Sequence, residues 1–127
     1  MKIYCTICCK EKRRDEGLLP AIERYISKRI RRVYELSKRD GVGFRILSGK
    51  FGLLRPEDRI PWYDQKLLPP MVDDMIEVVK RQLKSQGITH VVFFAKDKEK
   101  FKGWRPYHKV LEKACSESGV KLEVIEL

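Results

Sequence analysis

Three short clusters in this sequence carry side chains able to do chemistry: Cys8-Cys9-Lys10, Ser48-Gly49-Lys50-Phe51-Gly52 and Trp62-Tyr63-Asp64. In the second, glycines allow positive φ and close approach of the backbone, so that free N–H groups can cradle an anion. Lys50 adds a point charge and Ser48 a hydroxyl. The spacing matches neither G-x-x-x-x-G-K-S/T nor G-x-G-x-x-G, so this is not one of the familiar nucleotide loops. In the third cluster Trp62 and Tyr63 offer ring faces for stacking. Asp64 can accept a hydrogen bond or a proton, which makes it the candidate general base or stabilising carboxylate. Asp97 is a possible second carboxylate. Pro56 and Pro61 fix φ and stiffen the chain between the two clusters.

The four cysteines, Cys5, Cys8, Cys9 and Cys115, raise the question of metal. A structural zinc site uses four ligands, commonly in two pairs, and no second C-x-x-C follows Cys5-x-x-Cys8. His90 and His108 do not stand at ligand spacing. The expectation is no metal and no cofactor. Cys5 reads as a small core residue, and Cys8 as a thiol at a strand end, a distant candidate nucleophile.

These clusters need elements to position them. KIYCTIC (2–8), GFRILS (43–48), THVVFFA (89–95) and KLEVIEL (121–127) read as strands, the third apolar throughout as if buried on both faces. Between them lie three helical patterns. Ile22, Ile26, Ile30 and Val33 form one apolar stripe, with Arg24, Lys28, Arg31 and Arg32 on the other faces. A second pattern starts after Pro69-Pro70, carries Asp73 and Asp74 in its first turn and stops at Gly87. The third runs from Arg105 or Pro106 to Gly119. Strands alternating with helices predict a single three-layer α/β domain over residues 1–127, Rossmann-like or flavodoxin-like, with a mainly parallel four-stranded sheet. Ligands of such sheets bind beyond the carboxyl ends of the strands, an edge that collects Cys8-Cys9-Lys10, Ser48-Gly49-Lys50-Phe51-Gly52, Lys96-Asp97 and Gly103-Trp104-Arg105, with Trp104 a further ring for stacking.

The charge points to the kind of partner. Lys and Arg number 28 against 18 Asp and Glu, a net +10, and +7 of it lies in residues 1–45. A lopsided basic surface attracts polyanions, chiefly nucleic acid. Arg24, Lys28, Arg31, Arg32 and Trp62 are the expected nucleic-acid contacts. Cys8, Lys10, Ser48, Gly49, Lys50, Gly52, Tyr63 and Asp64 are the expected ligand site. No apolar run approaches the ~20 residues of a membrane helix, and no signal peptide is evident. The chain reads as soluble and cytoplasmic, with no membrane partner.

The segment ILSGKFGLLRPEDRIPWYDQKL, residues 46–67, resembles the signature of the YaaA-like proteins. There a strand ends in L-S-A/G-x-Y/F-G-L-L/V-x-P and is followed by I-x-x-Y. It is closer still to small single-domain relatives with L-S-A/G-K-Y/F-G-L-L-x-P and I-x-x-Y-D. CTICCKEK and the stretch Leu19-Pro20-Ala21 to Tyr25 echo the family more weakly. The resemblance implies a role of the kind linked to peroxide stress and DNA binding through a positive cleft, with Ser48, Lys50, Gly52, Tyr63 and Asp64 at that cleft. The helix-hairpin-helix pattern that grips DNA in the larger members is absent here. Two readings follow: a nucleic-acid-binding domain, or an enzyme acting on a nucleotide, nucleoside or nucleic-acid base, for example by glycosidic-bond cleavage.

Overall fold

The β-branched and aromatic run His90–Ala95 becomes the inner strand β6, almost wholly enclosed. Each large apolar side chain removed from water there contributes about 2 kcal/mol. The computed structural model describes all residues, 1–127. Its strands are β1 (Lys2–Ile7), β2 (Leu19–Pro20), β3 (Gly43–Ser48), β4 (Gly52–Leu54), β5 (Arg59–Ile60), β6 and β7 (Lys121–Glu126). The helices are α1 (Ala21–Arg24), α2 (Lys28–Asp40), α3 (Val72–Ser85) and α4 (Arg105–Ser118).

Five strands form the main sheet in the order β4-β3-β1-β6-β7. The pairs β3–β1, β1–β6 and β6–β7 are parallel, while β4 returns antiparallel to β3. The expected sheet had four strands; the fifth is β4, inside the segment read as loop. A separate two-residue ladder joins β2 to β5.

Alternation along β1 sorts the layers. Tyr4 and Thr6 face α2: the Tyr4 hydroxyl donates to Asp40 at 2.6 Å, and Arg29 donates to Thr6 Oγ1. On the opposite face Phe93 packs its ring against Trp104 and His108 of α4 and the turn before it. The helices therefore cover both faces, α2 one and α3 with α4 the other. Leaving β1, the chain moves through α2 to β3; from the β3–β4 hairpin it crosses back through α3 to β6. The loops after β1 and β6 thus diverge and open a crevice at the carboxyl edge. Strand β7 closes the far side and stays largely exposed, Val124 and Ile125 included.

The first helical stripe is not one helix. The chain is helical over α1, turns extended at Tyr25, and restarts at α2 with Ser27 as cap, its Oγ accepting from Ile30 N at 3.1 Å. Ile26 falls in the break and is 58% exposed, so the regular apolar period runs through a discontinuity. A short serine cap and a bridge between Lys12 and Tyr25 supply the hydrogen bonds that a continuous helix would have made. The other two helices stop at Gly87 and Gly119, with φ of 64° and 66°. No helix is long and apolar enough to cross a membrane.

Candidate functional site

Strand β3 ends on Ser48, which is fully buried. Its Oγ accepts the backbone N–H of Lys50 and of Phe51, both at 3.1 Å, and meets the Tyr63 hydroxyl at 2.8 Å. Tyr63 in turn makes a short hydrogen bond with Tyr25. The turn is pulled so tightly against the returning chain that a Cβ on Gly49 would lie 2.6 Å from Leu67 N. Gly52 has φ 72°, and a Cβ there would lie 2.5 Å from Gln82 Oε1, which accepts from Leu53 N. Burial raises the pKa of the Tyr25 and Tyr63 phenols, so both stay protonated and act as hydrogen-bonding joints, not bases.

This joint changes the expected ligand site. Ser48, Gly49 and Gly52 close a fold crossing. The amides of Lys50 and Phe51 already point at Ser48, so they do not cradle an anion. Lys50 is exposed over the Phe51 ring, outside the cleft described next.

That cleft lies at the diverging ends of β1 and β6 and encloses about 540 Å³. Cys8, Lys10 and Lys12 form one wall, Asp64, Gln65 and Lys66 another, and Trp104 and Tyr107 the end. Of the expected ligand residues it brings together Cys8, Lys10 and Asp64. Asp64 is exposed and is the single carboxylate lining the cleft; Asp97 lies outside, its Oδ1 capping Glu99 N at 2.8 Å. Tyr63 and Asp64 are neighbours that face opposite ways, one into the joint and one into the cleft.

Beneath the floor, Tyr107 holds the architecture. Its hydroxyl accepts from Leu67 N at 3.0 Å and sits 3.5 Å from Cys8 Sγ. Cys9 is half-buried; burial raises its thiol pKa, and Sγ donates to Glu11 O. Burial also pushes Cys115 up to about 11. All four cysteines are free, and no three His, Cys, Asp or Glu side chains converge as metal ligands.

The basic residues divide in two. Arg24 does not reach solvent at all. Its guanidinium donates to the carbonyls of Arg13, Asp15, Gly17 and Ile60 at 2.7 to 3.3 Å, clamping the 13–17 loop onto β5. A guanidinium enclosed by carbonyls has no donor left for phosphate, so Arg24 is corrected from contact to clamp. Lys28, Arg31 and Arg32 are exposed on α2 and line a shallow depression beside Arg13. Trp62 is 40% exposed but carries the Arg14 guanidinium over its ring at 4.8 Å, away from the cleft.

Sequence reasoning missed Lys12, Lys66 and Arg29. Lys12 stands over the Tyr63 ring at 4.6 Å, inside the cleft. Arg29 donates to Thr6 Oγ1 and to the carbonyls of Ile7 and Cys8, and lies 4.9 Å from the Trp104 centroid. It thereby ties the end of β1 to the aromatic wall. Arg29 lies between Lys28 and Arg31, two residues taken for the exposed face of α2, and nothing local distinguishes it from them.

No protein-family model, curated protein or solved structure matches the chain.

Proposed function

We propose that this chain binds nucleic acid, with the β1–β6 cleft receiving a nucleotide unit and the surrounding basic surface holding phosphates. One observation carries the reading. Lys10, Lys12 and Lys66 ring the cleft; Arg29, Arg32 and Lys96 line the depression near Leu127, and Lys28 and Arg31 continue along α2. Every ion pair in the protein uses other residues. These cations make no ion pair, although Asp64 lines the cleft and Glu23 and Glu35 line the depression on α2. A run of them from the aromatic-walled cleft along α2 suits a polyanion, whose phosphates neutralise them and release counterions. Trp104, which lines the cleft where Trp62 does not, provides the aromatic wall for a base, beside the Arg29 guanidinium over its ring.

The four parallel strands and the helices on both faces support a Rossmann-like, flavodoxin-like domain, and residues 46–67 support a YaaA-like relationship. The free thiols suit a reducing compartment such as the cytoplasm. The test is fluorescence anisotropy with labelled DNA and RNA at two salt concentrations. Binding should weaken steeply with salt, and Lys10→Glu with Lys12→Glu should weaken it at low salt. Affinity that is absent, or indifferent to salt, would remove the reading.

The exposed carboxylate in the cleft favours a second reading, an enzyme acting on a nucleotide, nucleoside or base. Asp64 would accept a proton or stabilise a developing positive charge, as in glycosidic-bond cleavage. With Asp97 outside, the cleft lacks the carboxylate pair of ordinary glycoside hydrolysis, so water activation would rest on Asp64 alone. Chromatographic detection of released base, abolished in Asp64→Asn, tests it.

A further inference from the structure

The β1–β6 cleft does not end at Trp104. Across a low saddle made by Lys66 and Gly103 it joins a second groove of about 370 Å³, lined by the segment before α3 and the start of α4. Both residues face both depressions. The second groove has a different character: its floor is apolar, from Leu67, Leu68, Pro69 and Val72 on one side and Pro106 on the other. Its rim is basic, with Lys66, Lys102, Arg105 and Lys109 and no acidic residue. Arg105 is drawn off to Glu99 at 3.3 Å, but the three lysines pair with no carboxylate.

Resting on the nucleic-acid reading above, we infer that the cleft and this groove form one continuous path for a single strand, not a duplex. An apolar floor between cationic rims matches a chain that exposes base faces and sugars between regularly spaced phosphates. A duplex keeps those base faces stacked inside and offers a floor of this kind only charge and sugar edges. The side chains order the strand accordingly. One base lies against Trp104 in the cleft, the backbone crosses the saddle where Gly103 has no side chain to obstruct it, and the next bases rest on the exposed Leu68 and Pro69. Lys66 stands at the crossing and Lys102 and Lys109 follow beyond it. No covalent step is involved.

The experiment compares an oligothymidylate of about ten nucleotides with a blunt duplex of equal length, by anisotropy across a salt series. The single strand should bind at least about tenfold more tightly than the duplex at moderate salt, where the difference rests on the apolar floor. Replacing Lys102 and Lys109 together by Ala should weaken the single strand and lower its salt slope by about 1.4, the value for two lost phosphate contacts. Leu68→Asp, on an exposed position, should weaken it without lowering the melting temperature. Equal or tighter duplex binding would overturn the single-strand path. So would full affinity in the Lys102/Lys109 variant when Lys10→Glu/Lys12→Glu abolishes binding, because the cleft would then act without the groove. If no nucleic acid binds at all, the function proposed above fails first.

Discussion

The hydroxyls of Ser48 and Tyr63 meet at 2.8 Å, fifteen residues apart in the chain and both buried. Through that contact the end of β3 is joined to the start of the segment that walls the cleft. Tyr25 extends the joint to the break between α1 and α2. Residues with the look of a ligand site thus hold the cleft in place from behind.

Removing the joint should cost stability. Ser48→Ala leaves the amides of Lys50 and Phe51 without a partner and the Tyr63 hydroxyl with Tyr25 alone, and should lower the unfolding free energy by roughly 2 kcal/mol. Tyr63→Phe should cost about 1 kcal/mol, since only hydroxyl contacts are lost. Urea unfolding followed by circular dichroism measures both. A Ser48→Ala protein as stable as the parent would show that water replaces the hydroxyl.

Arg24 should behave as a clamp and not as a phosphate contact. Arg24→Met leaves four carbonyls without their charged donor and should destabilise by about 3 kcal/mol or more. Arg24→Lys should recover little, because an ammonium cannot span acceptors arranged around a planar fork. Thermal melts test the first point. For the second, nucleic-acid affinity measured below the melting temperature should match the parent's, whereas Arg32→Ala should weaken it.

At Asp64 the two functional readings predict different outcomes. If the cleft only binds, Asp64→Asn removes a negative charge facing the ligand's phosphates and should tighten binding a few-fold, with a weaker salt dependence of the difference. If Asp64 does proton chemistry, the same change should leave affinity similar and abolish base release. Anisotropy and product chromatography on one preparation separate them.

Acid should destabilise the protein in a defined window. The Glu117 pKa is lowered by its hydrogen bond from Lys80, and that of Glu123 by His90. In the unfolded chain these carboxylates return to their ordinary value of 4.5, so on acidification the unfolded state takes up protons first. Their contribution is therefore present above that value and lost as pH falls through the lower folded values. The melting temperature should change little from pH 7 to about 5 and fall below about 4.5, less steeply in Glu117→Gln. Scanning calorimetry over a pH series reads this directly.

Much of the layering was legible because its signals are local. The apolar runs at 43–48 and 89–95 lie within a residue of the strands, and Pro69-Pro70, Gly87 and Gly119 bracket two helices by backbone chemistry alone. Strand β4 escaped because three residues, Gly52–Leu54, are too few to show a period of two. The break at Tyr25–Ser27 escaped because Ile22, Ile26, Ile30 and Val33 keep helical spacing across it, while Ile26 faces water. Arg24 was misread for a different reason. An arginine among basic neighbours looks exposed until four distant carbonyls are known to converge on it. Cys8 and Trp104 were found through the rule about strand ends and Asp64 through the stiffened loop after β3, but Lys66 and Tyr107 reach the same cleft only through the crossover.

The cleft is assembled from places far apart in the chain: Cys8 after the first strand, Asp64 near the middle, and Tyr107 on the last helix, with Leu67 N bonded to the Tyr107 hydroxyl. No local fragment contains it. The amides of Lys50, Phe51 and Leu67, all bonded to buried hydroxyls, should exchange hydrogen with solvent only through opening of the whole domain, and not through fraying of the loop. The walls of the cleft then share the lifetime of the fold itself, and a ligand that enters finds them already set.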